Sequence, residues 1–230
     1  MTLSRRLSVT TLAMLCLAPA ARADTFYVVV FGAQSKPQRP KFSHSWATFV
    51  RIPGQDCGGP PAPDAGPPEI FTISWYAASL ELHPNRLLPE PGCNLELHRT
   101  FQTVLSHCEN IGAWGPFQIT PELYCLAAKH AQRLNNGELQ YKTIDYAHLP
   151  NRVSNCIHAL TVFVPDRRRV RIGRTNFGEV ASYYVAENYR NLLICPCEVH
   201  CWIADLLGLG QYPIKWRRLE DGRPRPSREY

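Results

Sequence analysis

Beyond residue 23 no stretch of this 230-residue sequence is apolar for the roughly 18 consecutive residues that a membrane-spanning helix needs. No glycine-rich loop of the Walker or dinucleotide type is present, which excludes phosphate cradles of the P-loop and Rossmann kinds. The chain has no internal repeat, so solenoids and propellers drop out. It carries no nucleic-acid-binding motif. Glu179 and Glu187 pair with no other carboxylate in a pattern that suggests glycoside hydrolysis. A strong charge imbalance is missing as well, with 25 Lys and Arg against 19 Asp and Glu.

The N-terminus is more eventful. Arg5 and Arg6 precede an apolar run from Leu7 to Leu17, and Ala21-Arg22-Ala23 has the A-x-A form of a cleavage site. This is the pattern of a secretory signal peptide over residues 1–23, and it predicts an exported protein, periplasmic or extracellular. The pair in "SRRLS" is also compatible with twin-arginine export. Leu15 stands where a lipoprotein signal needs a small residue, so Cys16 is not read as a lipidation site. Loss of Arg5, Arg6 and Arg22 takes the basic count from 25 to 22 and leaves an excess of about three. Much of that excess lies in "KWRRLEDGRPRPSREY", and residues 217–230 read as a solvated basic tail. Residues 24–216 are long enough for one domain with its own core.

Cysteine is plentiful. Removal of Cys16 leaves eight of the nine, and in an oxidising compartment that even number permits four disulfides. "CPCEVHC" packs Cys195, Cys197, His200 and Cys201 into seven residues, which raises a zinc site. Closing four ligands in so short a loop is sterically difficult, and disulfides to Cys93, Cys108 or Cys125 are the favoured use. No metal and no cofactor is assigned.

Strands are predicted over 24–32, 43–52 and 69–77, where β-branched and aromatic residues dominate. The Pro- and Gly-rich segment 54–68 reads as a long loop. A helix is predicted near Thr100, with Phe101, Val104 and Leu105 at helical spacing. The clearest helix starts at Thr120, a natural cap followed by Pro121 and Glu122, and stops at Gly137. A strand over 138–145 follows, then a helix from Asn155 or Cys156 to about Phe163, and a short strand or charged loop over 167–173. A helix capped by Thr175 and a last one in "EVHCWIADLLGLG" complete an α+β pattern, with strands early and helices late.

Chemistry centres on "SNCIHAL". Ser154 and Asn155 are capping residues, which puts Cys156 in the first turn of a helix, where unpaired N–H groups and the helix dipole favour a thiolate. The same N–H groups suit a developing oxyanion, and Asn155 is counted with the oxyanion candidates. A thiol nucleophile needs an imidazole to take its proton and a polar group to orient that imidazole. His158 lies about 200° around a helix from Cys156 and faces away, which makes it structural. His44, opening the strand "HSWATF", is the candidate base. Thr72 and Ser74 share one face of the next strand, and Ser74 is preferred as the orienting group. Gln118 is a second oxyanion candidate, set against a plain hydrogen-bonding role in a turn.

A histidine on an early strand followed much later by Asn155-Cys156-x-His158 at a helix start resembles the circularly permuted, papain-like branch of the NlpC superfamily. That branch includes the lecithin:retinol acyltransferase-like proteins, with their N-C-E-H-F motif. The chain is also similar to secreted bacterial proteins that pair an H-[ST]-[FW]-A-T-F strand with N-C-I-H-A. Here Ile157 replaces the acidic residue and Ala159 the aromatic one, and the next strand, "EIFTISWYA", lacks the second histidine of the acyltransferase-like proteins. The resemblance implies a permuted papain-like fold, a small antiparallel sheet packed against several helices. It implies Cys156 as nucleophile and His44 as base, paired as thiolate and imidazolium near neutral pH. It further implies hydrolysis or acyl transfer at a peptide, peptidoglycan or lipid-ester carbonyl, with peptide or cell-wall amides favoured. The alternative is a non-catalytic exported α+β protein in which Cys156 is buried or disulfide-bonded.

Overall fold

The computed structural model describes residues 23–36, 39–54, 60, 66–108, 110–145, 151–165 and 177–224. The expected signal peptide, most of the 54–68 loop with Cys57, the 167–173 segment, the Thr175 cap and the last six residues lie outside the described residues.

The fold is α+β, built on two sheets. β1 (Thr25–Gln34) is buried along its whole length, which explains its unbroken run of valines and aromatics. It pairs antiparallel with β2 (Ser43–Ile52) on one side, Phe31 opposite Trp46 and Ala33 opposite His44. β3 (Glu69–Ile73) continues the sheet beyond β2, and its pairing stops at Ala47 opposite Ile73. After Ser74 the chain leaves this sheet. β4 (Trp75–Ala77) pairs instead with β5 (Glu90–Asn94).

On the other side of β1 lies β6 (Asn110–Ile119), a central strand that the sequence reading does not anticipate because "GAWGPF" looks like a turn. The register between β1 and β6 slips between Val28 and Val30, and Gly115 sits at that bulge with φ +97°, a conformation that favours glycine. At such a bulge a proline's missing donor is tolerated, which accommodates Pro116. β9 (Ile214–Arg217) joins β6 in parallel and gives the order β3-β2-β1-β6-β9. Strands are therefore neither confined to the first half nor all antiparallel. The second sheet runs β4-β5-β7-β8, where β7 is only Gln140–Tyr141 within the predicted 138–145 and β8 is Val153–Ser154.

The helices cover the larger sheet. α1 (Leu97–Leu105) places Phe101 against Phe31 and Trp46, whose rings stack 5.1 Å apart. α2 (Pro121–Asn135) starts as expected at Thr120, whose hydroxyl accepts from the Leu123 N–H. α3 is Cys156–Ala159, shorter than predicted. α4 (Glu179–Tyr189) crosses the facing glycines Gly32 and Gly112, and α5 is Cys201–Leu206. A Cβ on Gly32 would lie 2.8 Å from the Glu179 Cα, so this close crossing depends on glycine. Arg217, expected as the start of a solvated tail, is the last residue of β9; its guanidinium pairs with the buried Glu179 carboxylate, and Leu219 is also buried. Among the described residues no helix is long and apolar enough to cross a membrane.

Candidate active site

The divergence of β3 from β2 shapes the region around Cys156. From Ser43 to Trp46, β2 has a strand neighbour only on the β1 side. The start of α3 packs against β2, which brings Cys156 beside the Ser45 backbone. Ser74, at the point of divergence, is pinned from several directions. Its N–H donates to Asn94 Oδ1 at 2.7 Å, and Asn94 Nδ2 donates to the Thr72 carbonyl at 2.9 Å, so one side chain substitutes for the interrupted ladder. The Ser74 carbonyl accepts from the Leu95 N–H at 3.0 Å.

His44 and Ser74 come together. His44 Nε2 lies 2.9 Å from Ser74 Oγ, with both residues buried. The ring stacks on Tyr76 at 3.8 Å between centroids. Its other nitrogen, Nδ1, is buried and has no hydrogen-bond partner among the described residues. Thr72 bonds elsewhere, its hydroxyl 3.0 Å from that of Thr48. Ser74 is thus the residue of the Thr72/Ser74 pair that meets the candidate base.

Cys156 carries a free thiol, 8% exposed, and is not hydrogen-bonded to His44, whose Nε2 is held by Ser74 and whose Nδ1 has no partner among the described residues. Burial pushes its pKa up to about 11, and the N–H groups of Ser45, Ile157 and Cys156 itself only partly oppose that rise. Burial also holds His44 well below the usual imidazole range. Both shifts disfavour the expected thiolate–imidazolium pair at neutral pH and favour a neutral thiol and a neutral imidazole. One reason is the length of α3, four residues, which carries little dipole. The other is competition for its N–H groups. Asn155 Oδ1 accepts from Ile157 N–H at 2.9 Å and His158 N–H at 2.8 Å.

That geometry revises the role expected of Asn155. Its amide nitrogen donates to the Thr143 carbonyl at 3.4 Å, so its side chain is a helix cap, occupied at both ends. Gln118 is excluded by topology. It faces Tyr27 on β1, six residues from the Ala33 that faces His44, or about 20 Å along the strand direction at ~3.3 Å per residue. Its backbone carbonyl accepts from Ile194 N–H. His158 Nδ1 donates to Asp145 at 2.7 and 2.8 Å.

Three contributors escape the sequence reading: the Ser45 N–H, Asp145 and Thr100, whose hydroxyl lies 2.8 Å from Ser74 Oγ. Ser45 adjoins a candidate base and was findable on that ground. The other two depend on long-range packing. No cysteine pair among the described residues is joined by a disulfide, and Cys93, Cys108 and Cys125 are free of the expected links to the 195–201 cluster. Among the described residues no three His, Cys, Asp or Glu side chains converge as a metal site. No family model matches this chain, and no curated protein or solved structure matches it at a significant level.

Proposed function

We propose that this protein is a cysteine-dependent hydrolase or acyltransferase acting on amide or ester carbonyls, with a peptide or cell-wall amide as the favoured substrate and export as its setting. The reading extends to a permuted papain-like arrangement, in which base, orienting residue and nucleophile arrive in the chain order His44, Ser74, Cys156. The observation that carries it is the buried His44 ring. Its Nε2 is held by Ser74, its Nδ1 has no partner among the described residues, and the Ser45 peptide that follows it lies beside Cys156.

In this mechanism His44 is a general base during attack rather than the charged half of a resting pair. The Cys156 S–H proton passes to Nδ1 as sulfur bonds to the carbonyl carbon. The Ser45 and Cys156 N–H groups then serve the oxyanion in place of the capped Ile157 and His158 groups. Collapse breaks the C–N or C–O bond, and the imidazolium returns its proton to the leaving group. Water, or another acceptor, repeats the sequence on the thioester and frees Cys156.

Burial of Cys156 favours a second reading, a structural thiol in a non-catalytic protein. The two separate on exposure of the full chain to p-nitrophenyl acetate at pH 7, followed by mass mapping of acetylated cysteines. A thioester at Cys156, absent in Cys156→Ser and slowed ~100-fold or more in His44→Ala, supports the enzyme. Acetylation confined to the exposed Cys125, Cys197 and Cys201 leaves the structural reading.

A further inference from the structure

We propose that Cys195 and Cys197 form a thiol–disulfide exchange site, a pair that closes on reaction with a small soluble disulfide and reopens in excess thiol. The site is separate from the one built on Cys156 and does not rest on that assignment. The two sulfurs are 3.1 Å apart, about 1 Å beyond the ~2.05 Å of a disulfide bond. Cys197 is exposed and Cys195 half-buried, so a small reagent can reach the pair. Among the described residues no other two sulfurs are in such contact.

The chain around them accounts for the approach. Glu198 N–H donates to the Cys195 carbonyl at 3.1 Å and closes a four-residue turn over Cys195-Pro196-Cys197-Glu198. Pro196 takes the second position, where its fixed φ suits a turn. Both flanks are fastened to β6. Ile194 N–H donates to the Gln118 carbonyl at 2.9 Å, and His200 N–H donates to the Pro116 carbonyl at 3.0 Å. The turn is thus carried on a central strand, at the end of β6 remote from His44. Both thiols are presented together before any bond forms between them.

The exchange balances in two steps. The thiolate of one cysteine attacks a sulfur of the soluble disulfide, forms a mixed disulfide and expels one thiolate. The second cysteine gives its proton to water and attacks the protein sulfur of that mixed disulfide. The Cys195–Cys197 bond forms and the second thiolate leaves. Two protein thiols are oxidised, and one soluble disulfide is reduced to two thiols. Hydrogen bonding to Cys195 raises the pKa of Cys197, so one sulfur of the pair keeps its proton while the other ionises. Only Pro196 separates the two cysteines, so the closed ring is small. Small, exposed disulfides are of the readily reduced kind.

The test uses the full chain, reduced, freed of reductant and equilibrated with glutathione at pH 7. Free thiols are then trapped with iodoacetamide, and every cysteine is mapped by mass. A short connection gives an effective concentration of about 1 mM, so with ~0.1 mM each of reduced and oxidised glutathione the Cys195–Cys197 bond should exceed mixed disulfide at either residue about tenfold. Cys125, exposed and in contact with no other sulfur among the described residues, should show only the mixed disulfide. By the same arithmetic, ~10 mM reduced glutathione should return the pair to thiols. In Cys195→Ser and in Cys197→Ser the remaining thiol should stop at the mixed disulfide. A bond from Cys195 or Cys197 to Cys201, or to any other cysteine, overturns the proposal in any of these chains. Thiols left unreacted in the wild type, or two separate mixed disulfides there, overturn it equally. So does a Cys195–Cys197 bond that survives the excess of reduced glutathione.

Discussion

The ionisation of Cys156 offers the sharpest check on the resting site. Burial places the thiol at about 11, so the thiolate fraction at pH 7 is about one in ten thousand. Moving the proton to His44, which burial holds well below 6.5, is uphill as well, so the neutral thiol and neutral imidazole are favoured. Iodoacetamide reacts with the thiolate, so Cys156 should label with a rate that rises tenfold per pH unit from pH 6 to 10 without levelling. The assay is a timed pulse of reagent on the native chain, followed by mass analysis of each cysteine, with the exposed Cys125 and Cys201 as internal references. The slope is the readout, because shielding of the sulfur lowers the whole curve without bending it. His44→Ala should leave that slope unchanged, since the ring is neutral throughout. A plateau between pH 5 and 8 that disappears in His44→Ala would reveal a preformed thiolate–imidazolium pair and refute this reasoning. A break near ~8.5, the value of a free thiol, would show that burial does not govern the thiol, and would refute it too.

Three further outcomes test the frame around the site. His130 is buried, and burial lowers its pKa from 6.5 to about 4. The unfolded chain binds the proton first, so the stability from neutral His130 is complete above pH 6.5 and lost on acidification toward 4. The loss is about 3 kcal/mol at ~1.4 kcal/mol per unit, and denaturant midpoints across that window should show it shrinking in His130→Leu. Asn155→Ala removes the acceptor of two N–H groups and should cost about 2 kcal/mol by urea unfolding, with Asn155→Ser regaining much of it. Should Asn155→Ser instead be stable yet unable to acylate Cys156, the amide would have a direct role and the capping assignment would fail. Gly32→Ala should cost about 2 kcal/mol by the same assay, because the new methyl meets Glu179 backbone and Ser182 Oγ, at 2.8 and 2.6 Å, and α4 must shift; an unaffected midpoint would show that the crossing is loose.

Two of the predicted strands survive in the structure because local composition and burial agree there. β1 and β2 are rich in β-branched and aromatic residues, lie side by side, and carry His44 where the pattern put it. Thr120 and Pro121 likewise mark a helix start through local hydrogen bonding alone. β6 was hidden because Gly112, Gly115 and Pro116 carry turn chemistry, and only long-range pairing with β1 gives them a strand context. Arg217 misled for a related reason. A basic residue near a Pro-rich end reads as solvated, yet it meets the buried Glu179, a partner thirty-eight positions away. At the site, residue identity was more legible than electrostatics. Ser74 was chosen from strand alternation and lies on His44; the thiolate was inferred from a helix dipole that four residues cannot supply.

The break in the strand at Ser74 links these observations. A continuous β3–β4 strand would carry the pairing with β2 on past Ala47, toward Ser45, and would occupy the edge that α3 now fills. Breaking the strand frees that edge and turns Ser74 onto His44 Nε2. The Ser74 N–H is left without a ladder partner, and Asn94 supplies one from β5. Asn94 also donates to the Thr72 carbonyl, so a single amide spans both ends of the interruption. Loss of Asn94 would therefore disturb the two sheets and the His44–Ser74 contact together, whereas loss of Thr100 leaves the break intact and removes only a hydroxyl that donates to Ser74 Oγ. Comparing Asn94→Leu with Thr100→Val separates the two effects. The first should lower stability and His44 order in parallel, and the second should leave the sheets with their pairing intact.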